Sequence, residues 1–203
     1  MRKNVLQGTR KECLFSCKGF TLVELLIVLT VIAILAILLL PKISDLVTKQ
    51  KSNELATQVM SIGQAEESYY KDCGTYPNDN AINALWNKNI ASSATNNQDN
   101  ISASNCWVQP YMQALPPNLT ASPQNYWQSP FGSASKCTVN TNAGDYLNDG
   151  ANNDIVVTCT NIPSQAVTFL QQKFNSDSNS NTGLMKSTCN GVICTINFVV
   201  VEN

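Results

Sequence analysis

Between Phe20 and Leu40 the chain runs for 21 residues with a single charge, Glu24. As a helix this run is long enough to cross a bilayer core, because roughly 20 residues at about 1.5 Å rise span about 30 Å. An ionised carboxylate is penalised in hydrocarbon, so an acid in such a segment is by default a site with a partner. The run itself supplies no cation. An ordinary secretory signal fits poorly, since its apolar core is shorter and ends at a small-x-small site, and nothing like Ala-x-Ala follows Leu40. A lipoprotein reading of Leu14-Phe15-Ser16-Cys17 fails because that tetrapeptide precedes the apolar run instead of ending it. A plain single-span anchor needs only apolarity and flanking charge, and leaves Glu24 unexplained.

The flanks are asymmetric. Arg2, Lys3, Arg10, Lys11 and Lys18 stand against Glu12 before the run, and only Lys42, Lys49 and Lys51 lie just beyond it. That bias predicts a cytoplasmic amino terminus and an exported remainder. Cleavage after Gly19 would create an α-amino cation on Phe20, four residues before Glu24. It would also leave 8 basic side chains of 13 and 13 acidic ones of 14. The resulting acidic balance argues against nucleic-acid binding through a basic face.

The stretch Gly19-Phe20-Thr21-Leu22-Val23-Glu24-Leu25, with the apolar residues after it, resembles the leader junction and first helix of type IV pilins and type II secretion pseudopilins. The resemblance implies that prepilin peptidase cuts after Gly19 and that Phe20 becomes a methylated N-terminus. It further implies that Glu24 neutralises the Phe20 amine of a neighbouring subunit. The implied partners are that peptidase, an inner-membrane platform, an assembly ATPase acting through the platform, and other pilin or pseudopilin subunits. The implied location is the inner membrane as a single-pass precursor with a periplasmic head, then a pilus or a periplasmic pseudopilus. A leader of 19 residues is longer than is usual for pilins beginning with Phe and is more typical of the type IVb group. Gly74-Thr75-Tyr76-Pro77 also resembles the Gly-x-Tyr-Pro that often follows the first pilin helix.

Beyond the apolar run, Ile43, Leu46, Val47, Leu55, Val59, Ile62 and then Tyr69 or Tyr70 recur at three- and four-residue spacings or their sums. This is one helical face, so the helix should continue to about Asp72, with Cys73-Gly74 as its stop. Pro41 falls inside it, where a missing N–H and a clash with the preceding turn predict a kink or local melting. Glu67 and Lys71 form an i, i+4 pair suited to a solvated face. A helix of about 50 residues is roughly 80 Å long, more than a small globule covers. Its surplus apolar surface calls for assembly, with Phe20 and Glu24 setting register because a misplaced subunit would leave a charge unpaired.

The remaining residues are rich in Asn, Ser and Thr and suffice for one modest domain. The expected organisation is a leader over 1–19, a membrane-spanning and filament-core helix over 20–40, an amphipathic continuation over 41–72 and a head over 73–203. The fold class is α+β, with the long helix on a small antiparallel sheet of about four strands, matching the pilin fold. Strands are expected at Asp154–Cys159 and Val192–Val201, a short helical piece near Ala81–Trp86, and a helix or loop over Ser164–Phe174. Trp86, Trp107, Tyr126 and Trp127 read as core fillers.

Cys13 and Cys17 lie in the leader, which leaves Cys73, Cys106, Cys137, Cys159, Cys189 and Cys194. An even set in an exported domain predicts disulfides. Sequential pairing is the expectation: 73 with 106, 137 with 159, 189 with 194. The last pair carries a conflict, because a two-residue turn at Asn190-Gly191 would set Cys189 opposite Val192 and only diagonal to Cys194.

The chain has no histidine, and the mature part has no Cys-x-x-Cys, so neither a zinc site nor a Ser-His-Asp or Cys-His centre is available. No phosphate-binding glycine loop is present, no cofactor is expected, and the chain does not read as an enzyme. Asp145, Asp149 and Asp154 crowd oxygens around Gly150, yet Leu147 and the lack of a closing Glu break the EF-hand pattern. Asx-rich turns arise without any ion, so no metal is expected; those three acids are the residues a calcium ion would use. Asn100 and Asn118 fit glycosylation sequons, a pattern that recurs by chance.

Overall fold

The computed structural model describes residues 19–78, 82–91, 106–113, 126–141, 143, 146, 154–175 and 183–201. Helix α1 spans Leu22–Cys73 and is followed by a 3-10 turn, Ile82–Leu85, and a short helix α2, Lys88–Ala91. Then come β1 (Tyr126–Gln128), β2 (Lys136–Asn140), β3 (Ile155–Pro163), α3 (Ser164–Phe174), β4 (Met185–Asn190) and β5 (Ile193–Val201). The strands form one antiparallel sheet in the order β1-β2-β3-β5-β4. The architecture is therefore α+β and pilin-like, with five strands among the described residues instead of about four. The chain divides after Ile43 into two compact units, each taken by itself below.

In the first unit, α1 is helical from Leu22 onward and none of its residues is buried. The helix continues through Pro41 without an interruption, so the expected local melting does not occur. Proline has no N–H, so the Ile37 carbonyl lacks the bond that residue 41 would otherwise give it.

The second unit holds the core. Leu55, Ala56, Val59, Ile62, Ala65 and Tyr69 of α1 are buried in one cluster with Trp127, Cys137, Val157, Cys159, Ile196 and Phe198 of the sheet. Helix α3 adds Ala166, Val167 and Leu170, and its Phe174 ring meets Phe198 at 4.9 Å. Ile43, Leu46 and Val47 belong to the same periodic face as Leu55 and Val59 but stay exposed, so the core takes only the later part of that face. Trp107 and Trp127 are core residues, whereas Trp86 and Tyr126 are half-buried, with Lys136 Nζ 4.2 Å from the Tyr126 ring centre.

Helix α1 ends as its residues dictate. Gly74 takes φ +69° and donates its N–H to the Tyr70 carbonyl at 2.7 Å, the left-handed stop that a residue with a Cβ adopts only with strain. The Cys73–Cys106 disulfide then fastens the segment 106–113 to this end. Trp107 Nε1 donates to the Ala84 carbonyl, and the Tyr111 hydroxyl donates to Asp72 at 2.9 Å. Burial first, then the Asp72 bond, push the Tyr111 phenol up to about 12.

Cys137 and Cys159 face each other across β2 and β3, and Cys189 faces Cys194 across β4 and β5; both pairs are disulfides. The hairpin conflict disappears because the two loop residues are Gly191 and Val192. Asn190 pairs with Ile193, which moves Cys189 directly opposite Cys194. Gly191 has φ +66° at the first loop position, where a type II′ turn requires glycine. The loop is held further by the Ser164 N–H, which donates to the Val192 carbonyl at 2.9 Å and gives α3 a partner that its Pro163 cap does not supply.

Gly63 marks the closest approach of α1 to the sheet. A Cβ there would lie 2.8 Å from the Val200 carbonyl oxygen and 3.0 Å from Val200 Cβ, so backbone would have to move. Alanine gains roughly 1 kcal/mol of helix propensity over glycine, but overpacking costs about 1–3 kcal/mol. Gly63→Ala should therefore lower stability, read as a reduced urea midpoint of the full chain in detergent; an unchanged or raised midpoint would contradict the close packing.

Candidate functional site

The site is the first turn of α1. Thr21 is the last non-helical residue before Leu22, and its hydroxyl oxygen accepts the Glu24 N–H at 3.2 Å. In return, Glu24 Oε2 accepts the Thr21 N–H at 3.0 Å and the Thr21 hydroxyl proton at 2.9 Å. The helix's first backbone bond follows, from Leu25 N–H to the Thr21 carbonyl at 3.3 Å. This reciprocal pattern is a capping box, which satisfies two of the N–H groups a helix start leaves without partners.

Glu24 is thus better provided for than its lack of a cation in the run suggests, because Thr21 supplies it with two neutral donors. Thr21 was the residue not singled out from sequence, although Thr-x-x-Glu before an apolar run is the signature of this motif. The box organises the carboxylate but does not discharge it. The positive end of the helix dipole favours an anion here, while full neutralisation still needs a cation.

Phe20, one residue before the cap, is 83% exposed, and Gly19 before it is exposed too. Their shared peptide bond therefore lies on an exposed stretch of the described chain. Beyond Glu24 the helix offers an uninterrupted apolar surface. Leu22, Leu25, Leu26 and Leu29 line an open groove with Thr30 and Ala33. Thr30 does not make this surface polar, since its hydroxyl donates to the Ile27 carbonyl of its own helix at 2.7 Å.

The acidic cluster of the head is only partly described. Asp145 and Asp149 lie outside the described residues, as do Asn100 and Asn118. Asp154 is fully buried, and its Oδ2 accepts the Tyr146 N–H at 2.8 Å while its carbonyl accepts Ala143 N–H. Its carboxylate thereby shapes the chain leading into β3. Among the described residues, no three acids or cysteines gather as metal ligands.

Residues 14–40 match the family described as the prokaryotic N-terminal methylation motif, a segment that contains Gly19, Phe20 and the whole capping box. The chain thus carries a prepilin-type N-terminal segment within a pilin-like α+β architecture. It is also similar to the fimbrial protein EcpC of Eikenella corrodens, at 42% identity over 64 residues, which is 32% of this chain and 42% of that protein. The chain therefore spans less than half the length of the curated relative it matches. No solved structure matches it.

The cap yields a direct test. Thr21→Ala should fray the first turn, seen as several-fold faster hydrogen exchange at the Glu24 and Leu25 amides in micelles, while Thr21→Ser retains protection. Equal exchange in all three proteins would show that the box contributes nothing.

Proposed function

We propose that the chain is a structural subunit of a type IV pilus or pilus-like filament, processed by prepilin peptidase and polymerised through its N-terminal helix. One observation carries this reading: the wholly exposed apolar stretch Leu22–Leu40 of α1 bears a single acid three residues after a cap, beside an exposed Gly19–Phe20 bond. In a bilayer that surface is solvated by lipid. Outside one, it is stable only against other apolar helices, because the driving force scales with apolar area removed from water.

In this reading residues 1–19 are the leader, 20–40 the membrane span and later filament core, 41–72 the amphipathic continuation and 73–203 the head. Hydrolysis of the Gly19–Phe20 peptide bond releases the leader carboxylate and leaves the α-amine on Phe20, which is then methylated. That cation neutralises Glu24 of a neighbouring subunit, and a subunit at the wrong depth leaves both charges uncompensated. The partners are the peptidase, an inner-membrane platform with its ATPase, and other subunits. Before assembly the N-terminus is cytoplasmic and the head periplasmic, as the basic flank favours.

Mass spectrometry of the native protein should find a chain that begins at methylated Phe20; a chain that retains Met1 would sink the proposal. Glu24→Ala should keep processing and the folded head yet abolish filaments, and normal filaments from that variant would remove the acid's role in register. Shearing cells separates two forms of the filament: release of the subunit marks a surface pilus, and retention marks the periplasmic pseudopilus of type II secretion.

A further inference from the structure

The three disulfides differ in how solvent reaches them. Cys137 and Cys159 are both fully buried, and Cys73 and Cys106 are both half-buried. The hairpin disulfide is asymmetric: Cys189 is exposed, whereas Cys194 is 3% exposed. The cause is topological. Strand β4 is the sheet edge, while β5 lies between β4 and β3, so Cys194 also has Ile162 beside it. Cys189 stands next to a loop whose Val192 is 78% exposed.

Thiol exchange requires a thiolate to approach one sulfur of the disulfide, and access decides which. We propose that Cys189 is a thiol-exchange site for small thiols, with Cys194 as its built-in resolving partner. An incoming thiolate forms a bond to Sγ of Cys189 and the Cys189–Cys194 bond breaks. Its electron pair leaves on Cys194 Sγ, which takes a proton from water. The opposite approach, to Sγ of Cys194, is closed by the core.

The same geometry reverses the step. Five other residue pairs hold β4 against β5, and the Ser164–Val192 bond anchors the loop, so Cys194 remains opposite Cys189 after exchange. Reclosure is intramolecular, so the small thiol competes only through its free concentration. Cys194, deprotonated again, attacks Sγ of Cys189 and expels the small thiol, with no net oxidant consumed. The disulfide is addressable from outside and reseals itself. This inference is independent of filament assembly.

The test uses the full chain in detergent and glutathione as probe. Cys194→Ser with oxidised glutathione should accumulate a mixed disulfide on Cys189, mapped by peptide mass. Cys189→Ser should form its adduct on Cys194 at least about tenfold more slowly, the gap vanishing in denaturant. Protease resistance of the head and the other two intact disulfides establish that each variant is folded. In the unsubstituted chain, excess reduced glutathione followed by acid quench should give either no hairpin adduct or one on Cys189 alone. Comparable rates for the two folded variants would overturn the proposal. So would an adduct on Cys194 of the unsubstituted chain, which decides the matter even if a variant misfolds.

Discussion

Apolar surface left uncovered by the chain's own fold governs the structure. The periodic face of α1 runs from Ile43 to Tyr69, but burial begins only at Ser52, and nothing between Leu22 and Leu40 is buried at all. A soluble domain does not tolerate a contiguous apolar patch of that extent, which marks a surface meant for lipid or for other chains. The head explains where coverage begins. Gly63 lets α1 come within contact of Val200, and around that approach the sheet buries Leu55, Val59, Ile62 and Tyr69. The residues that make a domain and those that require an environment thus follow one another along a single helix.

The cap at Thr21 gives that helix a defined beginning. An apolar helix in lipid has no solvent to satisfy its first N–H groups, and each unsatisfied one is costly. Thr21 and Glu24 satisfy two of them from within, so the acid serves the local backbone. Neutral donors leave its charge intact. One carboxylate oxygen accepts the Thr21 bonds, and a carboxylate has a second oxygen with which to meet a cation.

How much of this was legible in the sequence depended on the length of each signal. The α1 pattern spans many turns, and its end is stated by Gly74, so both were readable from spacing and residue type. The strands rich in β-branched residues, Ile155–Pro163 and Ile193–Val201, were likewise visible, though β3 runs four residues past the expected Cys159. Its extension crosses a bulge where Asn161 adopts φ +57° and bonds the Ala134 carbonyl, a tertiary contact that no local pattern announces. Strand β1 is three residues long, and β2, at five, has an alternation too short to distinguish from a loop. The hairpin was misplaced by one residue because Asn-Gly is the stronger turn signal in isolation. Here Gly191 opens a type II′ loop, and the cysteines fall into register.

The cysteines follow a related division. In the chain-entropy picture a crosslink stabilises in proportion to the logarithm of the loop it closes, and the separations are 33, 22 and 5 residues. That corresponds to about 4, 3 and 2 kcal/mol. The two longer closures tie the helix end to the segment 106–113 and the middle of the sheet to itself, where a head rich in Asn, Ser and Thr has little apolar area to spare. The shortest lies at the sheet edge, on a hairpin already held by its turn and by Val192. A bond that contributes least to global stability is also the one whose exposed sulfur solvent reaches, so exchange there leaves the core unchallenged. The register that holds Cys194 directly opposite Cys189 then favours reclosure over persistence.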